Sequence, residues 1–184
     1  MKNDIVLRPL TDEDLEMVRQ WRNSPDISRY MYTDNYISED DQIAWFERIK
    51  NNPTCQYWII EYERKSLGVV SVTEINKTYD SCFWAFYLGD TSVRGAGIGA
   101  KVEFHILEYV FNDLQLNKLR CEVLVSNEKV IKMHEKFGFR KEAYYRDHVQ
   151  KHGVHYDAIG LAILKRDWEQ VRSFHYNRIY SNEA

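Results

Sequence analysis

The feature that most constrains this chain is a glycine-rich segment between a strand pattern and a helix pattern. Residues 79–88 are mostly apolar, as in a buried strand. Ile98, Val102 and Ile106 then recur at the spacing of one helix face. Between these patterns, residues 93–101 read Val-Arg-Gly-Ala-Gly-Ile-Gly-Ala-Lys. Glycines let the backbone approach a ligand closely, and unpaired N–H groups at a helix N-terminus attract phosphate, so the segment predicts a phosphate-binding turn.

The position of this turn limits which phosphate it can bind. The Walker sequence with its lysine is absent, which argues against a P-loop nucleotidase. A dinucleotide fingerprint is expected on the first βα unit of a parallel sheet, whereas these glycines follow a fourth strand and antiparallel hairpins. The glycine pattern and its position also fit a strand-to-helix turn that binds no phosphate and has small residues only for packing.

Hydrophobic periodicity predicts one domain over residues 1–184, without a linker or a repeat. Thr11 and Ser38 are predicted to cap the first two helices, because acidic residues follow each of them in the first turn. Further helices are predicted over 97–114, 127–137 and 165–180. Strands are predicted over 5–8, 56–62, 67–76, 79–88, 118–125, 139–149 and 154–164. This order predicts a mixed sheet with helices packed on it, an α/β (α+β) architecture.

Composition and charge argue against several classes of protein. The formal net charge of −3 does not fit the basic surface of a nucleic-acid-binding protein. No segment is long and apolar enough to predict a membrane span, and the N-terminus lacks the apolar core of a signal peptide. The three cysteines lie in apolar segments without metal-ligand spacing, which predicts free thiols in a cytoplasmic protein. His148, His152 and His155 are interpreted as a solvated hairpin tip, so no metal site is expected.

Two segments together resemble the GNAT N-acetyltransferase superfamily. Residues 94–99 match its signature Gln/Arg-x-x-Gly-x-Gly/Ala, and Asn127 followed by Phe137-Gly138-Phe139 matches its later motif in order and spacing. The resemblance covers nearly the whole chain. It implies a mixed, mostly antiparallel sheet of about seven strands with helices on both faces. Residues 79–88 and 118–125 would form a central parallel pair that splays apart.

The same resemblance implies acetyl-CoA as co-substrate, with its pyrophosphate on the N–H groups of the glycine turn. The residues expected to bind it are Leu88, Arg94, Gly95, Ala96, Gly97, Ile98, Gly99, Ala100, Asn127, Lys129 and Val130. Residues 11–50 would form the acceptor-side helices, 88–114 the CoA cradle, and 139–184 a C-terminal hairpin and helix. The last helix is expected to dock on the sheet or to support a homodimer.

Amine acetylation requires a proton acceptor for the amine and N–H donors for the developing oxyanion, and a general acid can assist the leaving thiolate. Glu122 lies within an apolar strand beside the splayed pair, where an acid is costly unless it faces a polar cleft. Glu74 is a second candidate, with a solvent-facing strand residue as the equal alternative. His134 stands where many GNAT enzymes have a tyrosine acid. It is interpreted either as a donor to the thiolate or as a satisfied histidine with no chemical role.

Aromatic and arginine side chains in the N-terminal region suit stacking on a base or sugar and pairing with phosphate. Together with residues 84–89, they resemble the nucleotide-aminosugar acetyltransferases of pseudaminic acid synthesis. That resemblance implies a UDP-linked 4-amino-4,6-dideoxy sugar as acceptor, contacted by Arg22, Met31, Tyr32 and Trp84. Two alternatives remain. One is a ribosomal-protein N-terminal acetyltransferase, which the pattern over 7–23 resembles, and the other is a non-catalytic acyl-CoA-binding module.

Overall fold

A computed structural model describes residues 4–93 and 95–181. In these residues it contains seven strands and six α-helices. The strands are β1 (Val6–Pro9), β2 (Gln56–Tyr62), β3 (Lys65–Asn76), β4 (Ser81–Leu88), β5 (Lys118–Leu124), β6 (Arg140–Lys151) and β7 (Val154–Leu164). The helices are α1 (Leu15–Asn23), α2 (Pro25–Ser28), α3 (Glu39–Ile49), α4 (Ile98–Glu108), α5 (Glu128–Lys136) and α6 (Lys165–Tyr180).

The strands form one sheet in the order β1-β2-β3-β4-β5-β7-β6. Every neighbouring pair is antiparallel except β4 and β5, which are parallel. The parallel pairing joins Ser81–Phe83 to Lys118–Arg120 and then stops, although both strands continue. The strands therefore separate toward their C-terminal ends, which confirms the predicted fold class and its splayed central pair.

The two faces of the sheet carry different helices because side chains alternate along each strand. Ile60 and Val70 face a large core completed by α4, α5 and α6, which we call the α4 face. Ile59 and Val69 face a smaller cluster with Val18 of α1, which we call the α1 face. Helix α3 lies on the α1 face as well, where its Trp45 ring meets Tyr57 edge-on at 5.2 Å between ring centroids.

Local capping chemistry determines where the N-terminal helices begin. Ser38 accepts a hydrogen bond from the Asp41 N–H at 3.2 Å, and Asp41 accepts from the Ser38 N–H in return. Thr11 and Asp14 form the same box ahead of a 3₁₀ turn over Asp12–Asp14 and then α1. Asp14 is buried and takes two hydrogen bonds from the Arg8 guanidinium, which ties the start of α1 to β1.

Two local expectations differ from the structure. The helix predicted over 97–114 ends at Glu108, and a π turn over Tyr109–Asp113 follows, with the Leu114 N–H bonded to the Tyr109 oxygen. The spacing of Ile43, Phe46 and Ile49 predicts that they form the apolar face of α3, but Ile43 is 45% exposed and Gln42 is buried. The helix packs through that polar side chain because it borders a cavity, described below. Within the described part of the chain, no helix has both the length and the apolar character that crossing a membrane requires.

Candidate active site

The glycine turn ends in a left-handed conformation directly before α4. Gly95 has φ of 89° and Gly97 has φ of 81°, values that side-chain-bearing residues adopt only with strain. A Cβ atom built at either glycine would meet nothing within 4 Å, so the turn is open to a ligand on that side. Arg94, predicted to bind the same ligand, lies outside the described residues. Helix geometry leaves the N–H groups of Ile98 and Gly99, the first two residues of α4, without an intrahelical acceptor.

A basic groove continues from this turn along α5 and α6. It encloses about 470 Å³. Its lining includes Ala96, Gly97, Ile98 and Ala100 from the turn and α4, and Lys129, Lys132, Lys136 and Arg178 from the two other helices. With Lys101 of α4, the described lining of the groove has five cationic side chains, and together with backbone donors they fit a ligand with several phosphates. The residues present therefore fit the pyrophosphate and the further phosphate of acetyl-CoA.

The remaining predicted cofactor residues lie at the ends of elements around the splay. Leu88 ends β4 and, like Val130 of α5, packs partly buried against the large core. Asn127 precedes α5, where its N–H donates to the Leu124 oxygen at 2.8 Å. Gly99 lies where a side chain would come within 3.3 Å of the Met133 sulfur, so its absence allows α4 and α5 to approach closely.

Glu122 lies on the α1 face of β5, beside the opening between β4 and β5. Its Oε2 accepts a hydrogen bond from the Tyr32 hydroxyl at 2.9 Å, and its side chain is 25% exposed. His148 Nε2 lies 3.5 Å from the same oxygen. Burial, with the Glu122 hydrogen bond, raises the pKa of Tyr32, so that hydroxyl stays protonated and acts as a donor. The carboxylate can accept a proton from a ligand held on this face.

A cavity of about 460 Å³ opens on the α1 face between α1, α3 and strands β3 and β4. Its lining includes Arg22, Met31, Gln42, Trp45, Tyr57, Phe83, Ala85 and Tyr87. Met31 brings the cavity next to Glu122, because Tyr32 follows it in the chain and bonds to that carboxylate.

Three polar atoms at this cavity are buried without a hydrogen-bond partner among the described residues: Arg22 Nε, Gln42 Nε2 and Tyr87 Oη. The Arg22 guanidinium is otherwise held by the Met31 sulfur at 3.1 Å and the Thr33 hydroxyl at 3.3 Å. Burial raises the pKa of Tyr87, so its hydroxyl keeps its proton. Buried polar groups normally have partners, so these donors suit a ligand rich in acceptor oxygens.

The structure separates Trp84 from the other three predicted substrate residues. Phe83 and Ala85 line the cavity, and alternation along β4 therefore directs Trp84 to the α4 face. There it is 1% exposed, and its ring stacks on Phe86 at 5.5 Å between centroids. The expected grouping of Trp84 with Arg22 is thus corrected, because the ring belongs to the core behind the sheet.

His134 also lies on the α4 face, away from Glu122. It is 2% exposed, and its Nδ1 lies 2.7 Å from Oε1 of the fully buried Glu103. Burial alone would lower the pKa of His134, but the Glu103 charge and contacts with Cys121 outweigh it and raise the pKa to about 10. Burial also raises the pKa of Glu103 against the effect of His134. The two groups therefore titrate as a coupled pair. This environment matches the second interpretation of His134, a satisfied histidine inside the fold.

Glu74 stands apart from both sites. It lies at a bulge in β3 with φ of 50°, and its side chain is 65% exposed. Its carboxylate pairs with Arg120 at 2.8 Å on the surface. This arrangement matches the solvent-facing alternative for Glu74.

The sequence interpretation missed four side chains that shape the α1 face: Gln42, Tyr87, His148 and Lys151. The sequence pattern predicts a solvated hairpin tip for His148 and assigns no role to Gln42. Lys151 is 6% exposed and donates to the backbone oxygens of Ser28, Arg29 and Met31. For His148 and Lys151, the one sequence signal was that three histidines and a lysine lie close together in one hairpin.

Comparison with known proteins identifies the family. The acetyltransferase (GNAT) domain family matches residues 4–140. Acetyltransferase PseH of Campylobacter jejuni is 25% identical over 130 residues, which are 71% of this chain and 79% of that protein. Spermidine N(1)-acetyltransferase of Escherichia coli is 24% identical over 166 residues, which are 90% of this chain and 89% of that protein.

A solved structure shows the same architecture. Spermidine N-acetyltransferase from Vibrio cholerae, crystallised with CoA and spermine, matches with a TM-score of 0.85 at 23% identity, over 90% of this chain and 98% of that one. At 23% identity, this structural match shows the fold alone. The family is shown by the GNAT domain match, which covers more than half of the chain. The chain therefore belongs to the GNAT acetyltransferases and is an acetyl-CoA-dependent N-acetyltransferase.

Proposed function

We propose that this enzyme acetylates the 4-amino group of a UDP-linked 4-amino-4,6-dideoxy sugar, as in the synthesis of pseudaminic acid. The observation that carries the proposal is the set of unpartnered donors, Arg22 Nε, Gln42 Nε2 and Tyr87 Oη, around one cavity. A sugar nucleotide presents hydroxyl, carbonyl and phosphate oxygens, which accept hydrogen bonds from such donors. The aromatic lining from Trp45, Tyr57 and Phe83 suits stacking against a sugar or base.

The same cavity disfavours a polyamine. A polyamine carries several ammonium groups and requires carboxylates or other acceptors around it. Among the described residues that line the cavity, Asp41 is the one carboxylate. Its Oδ2 already accepts from the Ser38 N–H and hydroxyl at 3.1 and 2.6 Å. The Arg22 guanidinium would in addition repel a cation.

The relatives do not decide between these acceptors. The PseH and spermidine acetyltransferase sequences are 25% and 24% identical to this chain. A putative ribosomal N-acetyltransferase of Bacillus subtilis is 28% identical over 111 residues, which are 59% of this chain and 58% of that protein. The chemistry of the cavity is therefore the argument for the sugar nucleotide.

Within this proposal Glu122 is the proton acceptor for the amine. Its carboxylate is bonded to Tyr32, which follows the cavity residue Met31 in the chain, and both Tyr32 and His148 approach Oε2. We expect Glu122→Gln to lower kcat by about 100-fold or more, because general-base catalysis contributes about 10² to 10⁴. The KM for acetyl-CoA should stay near the wild-type value, because Glu122 is not among the residues that line the phosphate groove.

The substrate class is tested by thiol release from acetyl-CoA with three amines: a UDP-4-aminosugar, spermidine and a peptide α-amine. Turnover with the sugar nucleotide alone is the expected result. Arg22→Gln should raise the KM for that substrate about 10-fold or more, since a charged hydrogen bond is worth about 1.5–3 kcal/mol. Arg29→Gln is the matched control, because Arg29 is 53% exposed and pairs with Asp26 on the surface.

Other outcomes would contradict the proposal. Preference for spermidine would assign a polyamine acceptor, and preference for the peptide would assign protein N-terminal acetylation. Acetyl-CoA binding without turnover of any of the three amines would support an acyl-CoA-binding module.

A further inference from the structure

A β-bulge in β6 changes the direction of the side chains near Glu122. Tyr145 pairs with Ala158 and Val149 pairs with Tyr156, so residues 146–148 stand opposite Asp157 alone. Asp147 inside the bulge has φ of 50°. Bulges of this kind bend a strand and redirect its side chains, and they are frequent next to active sites.

Asp157 of β7 holds the bulge in place. Its Oδ1 accepts a hydrogen bond from the Asp147 N–H at 2.8 Å, and its Oδ2 accepts from the Tyr144 hydroxyl. These hydrogen bonds, that from Tyr144 first, lower the pKa of Asp157 below its ordinary value. The carboxylate thus stabilises a backbone conformation that a side-chain-bearing residue adopts only with strain.

The bulge brings the His148 imidazole to the carboxylate of Glu122. His148 Nε2 lies 3.5 Å from Glu122 Oε2. The imidazole stacks on the Tyr145 ring at 4.7 Å between centroids and meets the Tyr32 ring edge-on at 5.7 Å. Gly160 of β7, which pairs with Glu122, makes room for Tyr145, because a Cβ there would lie 3.1 Å from that ring.

These contacts give His148 a defined position between the carboxylate and water. The titratable groups that face it are Glu122 from β5, Tyr32 from the loop after α2, and Tyr145 from its own strand. Its side chain is 36% exposed, whereas that of Glu122 is 25% exposed and covered by Tyr32. Histidine is the side chain that most readily gains and loses a proton near neutral pH.

We propose that His148 is a positioning residue that acts through Glu122, holding its carboxylate and carrying its proton to water during each catalytic cycle. The inference rests on the proposed role of Glu122. The substrate ammonium gives a proton to the Glu122 carboxylate, and the nitrogen keeps the electron pair that forms the new C–N bond to the acetyl carbonyl carbon. The C–S bond breaks, and its electron pair leaves with sulfur. The neutral acid passes its proton to His148 Nε2, and the imidazolium releases it to water.

Both protons that the amine loses have a destination on this route. The nitrogen loses two protons on the way from ammonium to amide. One proton ends on the departing thiolate and gives the CoA thiol, and the other reaches water through Glu122 and His148. The route requires no redox partner and no metal ion.

The test is chemical rescue. We expect His148→Ala to lower kcat about 10-fold, because a proton relay through a side chain contributes to general-base catalysis. The KM for acetyl-CoA should stay unchanged. Added imidazole should restore much of kcat in this variant and should leave wild type unaffected. His155→Ala is the matched control, because His155 is an exposed histidine of the same hairpin.

A second variant separates proton relay from support of the fold. His148→Gln retains a hydrogen-bonding side chain that does not titrate, so kcat should again fall and the acid limb of its pH profile should lose one ionisation. It also replaces His148→Ala if the alanine variant fails to fold.

Three outcomes would contradict either the relay through His148 or the role of Glu122 as base. Wild-type kcat and pH profile in the His148 variants, with Glu122→Gln inactive, would overturn the relay and leave the base in place. A loss of kcat that imidazole does not restore, with an unchanged acid limb, would reduce His148 to a structural support and overturn the relay as well. Wild-type activity of Glu122→Gln would instead overturn the proposed function of that carboxylate.

Discussion

The two faces of the sheet are built in different ways. On the α4 face, the ligand groove begins with a continuous backbone turn that runs directly into α4. On the α1 face, the contacts join distant parts of the chain: the Tyr32–Glu122 bond spans 90 positions, and the bond from Lys151 to Ser28 spans 123. The first face is defined by backbone conformation and the second by side chains. A change in acceptor can therefore arise by substitution on the α1 face without any change in the CoA groove.

Lys151 is one of the contacts that join distant parts of the chain on the α1 face. Its ammonium group at the end of β6 donates to backbone oxygens of Ser28, Arg29 and Met31 at 2.8–3.1 Å. Burial lowers the pKa of Lys151, with partial compensation from the charge of Asp34. The neighbouring His152 N–H donates to Asp34 at 3.0 Å. The loop that carries Met31 and Tyr32 is thus attached to the C-terminal hairpin.

The largest expected effect concerns the stability of the α4 face. His134→Phe leaves the Glu103 carboxylate buried without its partner, and breaking such a pair typically costs about 3–5 kcal/mol. We expect that loss in the free energy of unfolding, measured by urea titration. Lys132→Ala breaks an exposed pair with Glu128 on the same helix and should cost less than about 0.5 kcal/mol.

A double variant isolates the pair. Glu103→Leu combined with His134→Phe removes both partners and should recover part of the lost stability. A single His134→Phe variant as stable as wild type would show that Glu103 does not depend on the imidazole. The Glu103–His134 pair would then contribute little to the free energy of unfolding, and the α4 face would not depend on it.

Lys151→Met tests whether the α1 face depends on one side chain. The buried backbone oxygens would lose a charged donor, which we expect to cost about 2 kcal/mol of stability. The KM for the amine should rise while the KM for acetyl-CoA stays constant, as measured by steady-state kinetics with each substrate varied. Lys141→Met is the control on the same strand, since Lys141 is 49% exposed. Equal increases in both KM values would mean that the two faces are not independent.

Gly97→Ala should affect the KM for acetyl-CoA and not the KM for the amine, which is the reverse of Lys151→Met. Its expected free-energy change is the smallest of the three. Its φ of 81° costs a side-chain-bearing residue about 1–2 kcal/mol. We therefore expect the KM for acetyl-CoA to rise about 10-fold and the KM for the amine to stay unchanged. Gly153→Ala is matched in backbone, with φ of 78° and open space around the Cβ, but lies at the hairpin tip. A similar effect of both variants on acetyl-CoA would show that strain alone, and not the ligand-binding turn, accounts for it.

This difference between the faces also explains what could be predicted from the sequence. The glycine turn and the Ser38–Asp41 box are local, so spacing along the chain was sufficient to find them. Trp84 was misplaced because β4 is apolar on both faces, and an apolar strand does not reveal which residues face which side. His148 was interpreted as a hairpin tip because the bulge beside it depends on Asp157, whose role no local pattern indicates.

The bulge in β6 has a further consequence for assembly of the protein. β6 and β1 are the two outer strands of the sheet, and an outer strand with regular geometry invites pairing with the edge of another chain. β1 has four residues and ends at Pro9, while the bulge interrupts the regular edge of β6 at 146–148. Pairing by extension of the sheet is therefore limited to short segments of either edge. The bend that presents His148 to Glu122 therefore also discourages aggregation along this edge.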